Sequence, residues 1–153
     1  MKTPAKSFFI FLLLGALLCA PIVVYAHPMG NFSISHYSRL TLDGGTIEIR
    51  YLIDMAEIPT YQEIQRTGLV PNVDDPSAMI YAAKQAELLR RGISLEINGR
   101  EAAIEALSYQ VIFPPGAGNL PTMKLGFFYQ AKLPSGISTS PYRLHYVDRN
   151  FEG

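Results

Sequence analysis

The chain has 153 residues, of which 13 are basic, 13 are acidic, three are histidines and one is a cysteine. This charge balance, without a basic run, excludes the electrostatic excess that nucleic-acid binding needs. A single cysteine excludes an internal disulfide, and the length suits one domain with one hydrophobic core.

Residues 1–26 have the pattern of an export signal. Two lysines precede an almost wholly apolar run, and small residues at Val24 and Ala26 fit the site that a signal peptidase cuts. The alternative is an uncleaved anchor, because the apolar run is about long enough to span a bilayer. We expect a cleaved signal peptide over 1–26 and an extracytoplasmic domain over 27–153, in the periplasm or on the extracellular face of the membrane.

Alternating apolar and polar residues predict a β-hairpin at the start of the exported domain. Its strands flank a tight turn at residues 43–45, and the second strand covers residues 47–53. Asp54 and Glu57 follow this strand and are expected at the rim of the sheet. Pro59 ends the ladder, so that only a short helical turn is expected there.

One long helix is predicted over residues 75–91. Asp75 is placed as its N-cap, Pro76 occupies its first position, and Gly92 ends it. Apolar residues recur between them at helical spacing. Because strands are predicted on both sides, the helix is expected to be inserted into a β domain and to cover one face or end of a sheet.

The remaining residues predict further strands. Alternation over 93–97 and the Asn98-Gly99 turn predict a second hairpin, with residues 103–113 as its returning strand. Alternating faces also occur over 123–133 and 142–147. The predicted fold is therefore mainly β, an antiparallel immunoglobulin-like β-sandwich with one inserted α-helix.

A histidine at the start of the exported domain suggests a metal site. With His27 as first residue, its α-amine and imidazole can chelate one divalent transition metal, and these donors suit Ni, Co, Cu or Zn. His36 is the candidate third donor if the chain bends between the two histidines. Asp54 and Glu57 are candidate outer ligands. The alternative is a solvated terminus, a hydrogen-bonded strand histidine, and carboxylates that cap a turn or face solvent.

Catalytic motifs are absent from the sequence. It contains no Gly-x-Ser-x-Gly, no phosphate-binding glycine loop, no His-Glu-x-x-His and no cysteine nucleophile in the exported part. We therefore expect no enzymatic activity.

Three segments resemble a known family. Residues 26–38 (AHPMGNFSISHYS), 54–63 (DMAEIPTYQE) and 148–151 (DRNF) are similar to the exported amino-terminal domain of bacterial membrane proteins of the nickel/cobalt transporter and efflux type. The resemblance implies an accessory domain associated with transition-metal transport. It implies a membrane transporter domain as partner, namely a carboxyl-terminal remainder of the same protein, because the transmembrane helices that carry transport in such a family do not occur in this sequence.

The alternative function is a non-catalytic protein-interaction module of a secreted or membrane-attached protein. Such a module would dock through the faces of its sheets and through exposed aromatic side chains. The candidate aromatic residues are Tyr37, Tyr61, Phe128 and Tyr142.

Overall fold

The computed structural model describes residues 31–43, 45–134 and 141–151; the predicted signal peptide and His27 lie outside them. Within these ranges the chain is mainly antiparallel β, with two sheets and two α-helices. The strands are β1 (Ile34–Asp43), β2 (Thr46–Met55), β3 (Ile93–Ile97), β4 (Arg100–Glu101), β5 (Ile104–Ile112), β6 (Met123–Lys132) and β7 (Leu144–Asp148). The helices are α1 (Glu57–Thr67) and α2 (Pro76–Gly92). Neither described helix is long and apolar enough to cross a membrane.

The strands form two sheets, which is consistent with the predicted β-sandwich. Sheet A has the order β1-β2-β6-β5, and sheet B has the order β4-β3-β7. Every pairing is antiparallel. The predicted first hairpin is confirmed, because β1 pairs with β2 along its whole length and Asp43 lies opposite Thr46 across the turn.

The hydrophobic core lies on one face of sheet A. Alternate residues of β2 and β6 are buried there, as the period of two in their sequences predicts. The rings of Tyr51, Phe127 and Tyr129 meet at its centre, with centroids 6.2–6.5 Å apart. Burial of each such side chain contributes about 1.5–3 kcal/mol to folding. This face of sheet A is therefore buried along β2 and β6, while its opposite face, called here the outer face, remains open.

Helix α2 confirms the predicted long helix and packs beside β5. The Asp75 side chain accepts a hydrogen bond from the N–H of Ser77 at 2.9 Å, which is the predicted N-cap. On the buried side, the Tyr129 hydroxyl donates to the carbonyl of Ala86 at 2.9 Å. A Cβ at Gly92 would lie 2.0 Å from the Asn150 side chain, so the end of the helix needs glycine for this close approach.

The prediction of one inserted helix is wrong, because α1 is a second one with 11 residues. Pro59 falls in its first turn, where the missing N–H leaves no helical hydrogen bond unmade. The buried hydroxyl of Thr60 donates to the carbonyl of Met55 at 3.1 Å and fixes the start of the helix on β2. Gly68 ends α1 in the left-handed conformation, with φ of 71°.

The predicted second hairpin is right in its turn and wrong in its returning strand. The strand after the Asn98-Gly99 turn is only β4, where Arg100 lies opposite Ile97. The N–H of Ala102 still bonds the carbonyl of Leu95 at 2.9 Å, and the chain then crosses to sheet A. There β5 pairs with the ten-residue β6, which offers a longer partner than the five-residue β3.

Candidate functional site

Glu57, one of the predicted outer ligands, joins three parts of the chain. It is buried at the start of α1, and its Oε1 accepts the N–H of Ala117 at 2.7 Å while Oε2 accepts the N–H of Asn31 at 3.2 Å. The pKa of Glu57 is lowered below its usual range, chiefly because the N–H of Ala117 donates to the carboxylate. Burial acts in the opposite direction and raises this pKa. A Cβ at Gly116 would lie 2.4 Å from Oε1, so that glycine makes room for the carboxylate. Both oxygens are thus engaged with backbone donors.

Asp54, the second predicted outer ligand, lies on the outer face of sheet A. It is directly opposite Lys124 on β6, and the two side chains form an ion pair that is half exposed to solvent. The carboxylate therefore has a cationic partner within the sheet. Ion pairs that are this exposed contribute little to stability. The pair therefore places one negative and one positive group side by side on the surface without adding much to the free energy of folding.

His36 lies on the other face. It pairs with Ile53 on β2, and since paired residues share a face, its side chain is on the core side while Asp54 is on the outer side. The imidazole is exposed and stacks on the ring of Phe151, with centroids 5.1 Å apart. Its nitrogens have no hydrogen-bonded partner within the described part of the chain.

The described residues contain no group of three His, Cys, Asp or Glu side chains that could hold a metal ion. The structure does not bring His36, Asp54 and Glu57 together. His36 and Asp54 lie on opposite faces of sheet A, and both carboxylate oxygens of Glu57 already accept backbone N–H groups. The remaining predicted ligand, His27, lies outside the described residues. The His27 and His36 pair therefore stays a prediction.

A hydrogen-bonded cluster that the sequence did not predict lies beside His36. The Tyr51 hydroxyl donates to Asp148 Oδ2 at 2.7 Å, and Asp148 Oδ1 accepts the N–H and the Nδ2 of Asn150 at 3.0 and 2.8 Å. Nδ2 of Asn150 also donates to the carbonyl of Leu89 at 2.9 Å. Burial, and then the negative charge of Asp148, raises the pKa of Tyr51. The hydroxyl remains a proton donor at any physiological pH, which favours a structural role.

The cluster ties the end of the described chain to both sheets. Asp148 and Asn150 form an Asx-type turn, and Phe151 extends from it onto His36. Nearby, the hydroxyl of Tyr146 donates to Ser38 Oγ at 2.9 Å and so links β7 to β1. The only sequence signal was the Asp-x-Asn-aromatic pattern, since its partners lie up to 97 residues away.

A shallow groove of about 360 Å³ crosses the outer face of sheet A. We call it the outer-face groove; it lies over Gly126 and is lined by Tyr37, Leu52, Asp54, Gln110, Ile112 and Lys124. Gly126 forms part of its floor, and the Gln110 side chain packs closely over this glycine, since a Cβ there would lie 2.8 Å from it. Apolar side chains form its walls, and the Asp54–Lys124 pair stands at one end.

The four aromatic candidates for docking divide between surfaces. Tyr37 and Phe128 lie on the outer face of sheet A, opposite Leu52 and Arg50, and the Arg50 guanidinium is 5.6 Å from the centroid of the Phe128 ring. Tyr61 is exposed on α1 and is not a strand residue. Tyr142 is half-buried and packs against the core. The structure therefore places two of the four on one surface.

Comparison with known proteins adds no relative. No family model matches the chain, and neither a curated protein nor a solved structure matches it. The similarity to nickel/cobalt transporter proteins therefore stays a prediction from three sequence segments.

Proposed function

We propose that this chain is an exported, non-catalytic accessory domain associated with transition-metal transport, of the nickel/cobalt type. It acts by docking on a membrane transporter, which is the carboxyl-terminal part of the same protein or a separate chain. The observation that supports docking is the outer-face groove.

The contrast between the two faces of sheet A supports this role. On the core face, Tyr51 and Phe127 are fully buried, whereas on the outer face Leu52 and Ile112 are 44% and 48% exposed and Tyr37 is 52% exposed. Exposed apolar side chains that cluster on a rigid sheet mark interaction surfaces, and aromatic side chains are frequent energetic anchors there. A partner that covered them would gain apolar burial without reorganising the sheet.

The side chains that line the groove suit a particular kind of partner surface. Its apolar centre fits one or two apolar side chains, and the Asp54–Lys124 pair at its end offers both an acceptor and a donor. The segment that fits is an extracytoplasmic loop of the transporter with an apolar residue flanked by polar ones. Such a mixed surface matches the apolar centre and polar rim of ordinary protein interfaces.

Photo-crosslinking tests this proposal. A photoreactive phenylalanine analogue replaces Leu52 in the groove, and the control replaces Ile80, which is 69% exposed on α2. In the cells that produce the protein, we expect the probe at position 52 to crosslink to an extracytoplasmic loop of a multi-helix transition-metal transporter, in the same chain or in a separate one, identified by mass spectrometry of the crosslinked peptides, and the probe at 80 not to. Equal labelling by both probes, or no transporter adduct from position 52, would contradict the proposal.

A second candidate activity is metal binding by His27 and His36. It is favoured by one observation, the exposed imidazole of His36, whose nitrogens have no hydrogen-bonded partner among the described residues. The cation would be Ni, Co, Cu or Zn in the divalent state, held by the amine and imidazole of His27 with His36 as third donor. Asp54 and Glu57 are engaged elsewhere and are not needed for this set.

We also propose that the sandwich is immunoglobulin-like. The division into four and three antiparallel strands supports this, because constant-type immunoglobulin domains have the same division. An experimental structure with the sheets aligned within about 30° would agree, and orthogonal sheets would not.

A further inference from the structure

The free edge of β1 is a second open feature of sheet A. We propose that β1 pairs with β1 of a second copy of this chain, so that two copies of sheet A join into one continuous antiparallel sheet. This inference is independent of the proposed docking, which uses the outer face.

The backbone of β1 has one unused side. Asp43 and Thr46 face each other across a two-residue turn, so the N–H and C=O of Asp43 point towards β2, and alternate residues do the same. The N–H of Ala56 donates to the carbonyl of Ser33 at 3.0 Å, which shows that the same odd-numbered residues face β2 at the other end of the strand. The intervening residues point their N–H and C=O groups away from β2, and no described residue pairs with them. These residues are Ile34, His36, Ser38, Leu40 and Leu42.

The opposite edge of sheet A is protected, which makes the β1 edge unusual. On β5 a bulge between Ala106 and Ser108 interrupts the register, and an N–H of the Arg90 side chain donates to the carbonyl of Ile104 at 3.3 Å. Proteins blunt edge strands in these ways to prevent pairing. Strand β1 runs for ten residues without a register shift, a proline or a lysine, and Arg39 is its only internal charge.

In a single copy of the chain, two apolar side chains on the core side of β1 are exposed to solvent. Ile34 and Leu42 lie opposite buried residues of β2, yet they are 42% and 43% exposed. They sit near the two ends of the strand. An antiparallel neighbour that runs the full length of β1 would cover both.

The sequence of β1 is complementary to itself, which points to a second copy as the occupant. A two-fold axis at Ser38 places Ile34 opposite Leu42 of the second copy, and Tyr37 opposite its Arg39, an arrangement that allows a cation–π contact. A two-fold axis at Arg39 would instead place Arg39 directly opposite Arg39 of the second copy, and this register is disfavoured because the two positive charges repel each other. The Ser38 register lies near the middle of the strand and permits about ten backbone hydrogen bonds between the copies. Such a self-complementary patch is the basis of a two-fold dimer.

Sedimentation of the exported protein tests the proposal. Ser35 and Thr41 face each other between copies in this register, both are exposed, and within one copy they lie opposite Asp54 and Glu48. The double variant S35K/T41K therefore opposes lysines only between copies. We expect a wild-type dimer, and dimer affinity lowered at least about tenfold in this variant. The control Q62K/Q65K adds the same charge on exposed positions of α1 and should remain dimeric.

A cysteine pair tests the register independently of any loss of folding. The double variant S35C/T41C should form a covalent dimer on oxidation, because the two positions face each other between copies. Each single variant, S35C or T41C, should remain uncrosslinked. A wild-type protein that is monomeric at about 100 µM, or a dimer that S35K/T41K leaves unchanged, would overturn the proposal. The crosslink from position 52 to a transporter is measured separately, so the two proposals fail in different experiments.

Discussion

At the scale of single residues, the acidic side chains of Asp54, Glu57 and Asp148 all have partners within the fold. Glu57 binds backbone N–H groups, Asp54 pairs with Lys124, and Asp148 accepts from Tyr51. His36 differs, since its ring is held only by stacking within the described part of the chain. It is therefore the one predicted ligand among the described residues whose side chain has no hydrogen-bonded or ionic partner there.

The bond between Tyr51 and Asp148 should contribute measurably to stability. Replacing Tyr51 by Phe removes a buried donor to a carboxylate and keeps the ring in the core, so we expect a loss of about 1–2 kcal/mol in the free energy of unfolding. The matched control is Y109F, because Tyr109 is exposed on β5. Urea unfolding followed by circular dichroism measures both variants. Equal midpoints for the two would show that the bond contributes nothing.

If the proposed metal site exists, metal binding should depend on His27 and His36. Calorimetry with Cu(II), Ni(II) and Zn(II) should give affinity at least about tenfold lower for H36A and for a protein with one extra residue before His27. His145 is an exposed strand histidine paired with Glu96, so H145A is the matched control and should bind like the wild type. Affinity should also fall on acidification, because protons compete for the same nitrogen lone pairs. Equal binding by all four proteins would exclude the site.

At the scale of elements, the sequence predicted the helices and hairpins that are determined by residues close together in the chain. The first hairpin follows from alternation and its turn, and α2 follows from its cap, its proline and its apolar spacing. Helix α1 is longer than the expected short helical turn, because Pro59, which ends the β ladder, is tolerated in the first turn of a helix. The crossing after β4 was missed because alternation shows that a strand exists and does not show which sheet it joins.

The N-cap of α2 gives a direct test at this scale. Replacing Asp75 by Ala removes the acceptor of the Ser77 N–H, so the melting temperature should fall by a few degrees. The neighbouring D74A is the control, since Asp74 is exposed and lies outside the helix. Thermal unfolding of both proteins is sufficient. A larger effect of D74A would contradict the assignment of the cap.

The junction at Glu57 should make stability depend on pH. Because its pKa is lowered in the fold, the ionised carboxylate stabilises the protein above the usual range for glutamic acid, about 4.3, and this contribution is lost as the pH falls through the lowered value. The E57Q variant should therefore be less stable than the wild type at pH 7 and approach it as the pH falls through the lowered pKa of Glu57. The control is E105Q, on an exposed position of β5. A difference from the wild type that is constant with pH would contradict this role.

The candidate sites show the same limit of sequence reasoning. The outer-face groove depends on a glycine on β6 lying between side chains of three other strands, and the Tyr51–Asp148 bond spans 97 residues. Neither juxtaposition has a local signal. The histidines and carboxylates were visible as residue types, but only the pairing of β1 with β2 places His36 and Asp54 on opposite faces.

At the scale of the whole molecule, one sheet carries two separate surfaces. The outer-face groove lies mainly over β2, β5 and β6 and reaches Ser35 and Tyr37 on the outer face of β1, whereas the pairing edge is the free backbone edge of β1. A two-fold axis perpendicular to the sheet leaves the outer faces of both copies on the same side. A dimer could therefore present two grooves to one membrane-bound partner.

The two surfaces should fail independently when each is changed alone. In L52K a charge enters the apolar groove, so a photoreactive probe at Ile112 should lose its transporter adduct, while the protein should sediment as a dimer with unchanged thermal stability. Because Ser35 also lines the groove, the converse is tested with L42P, which removes an N–H from the free edge of β1 at a residue outside the groove; the adduct should be retained and the dimer weakened. Ile80, exposed on α2, provides the control I80K, which should retain both properties. If L52K and L42P each lose the adduct and the dimer together, the groove and the edge form one interface, and the separation of the two surfaces is wrong.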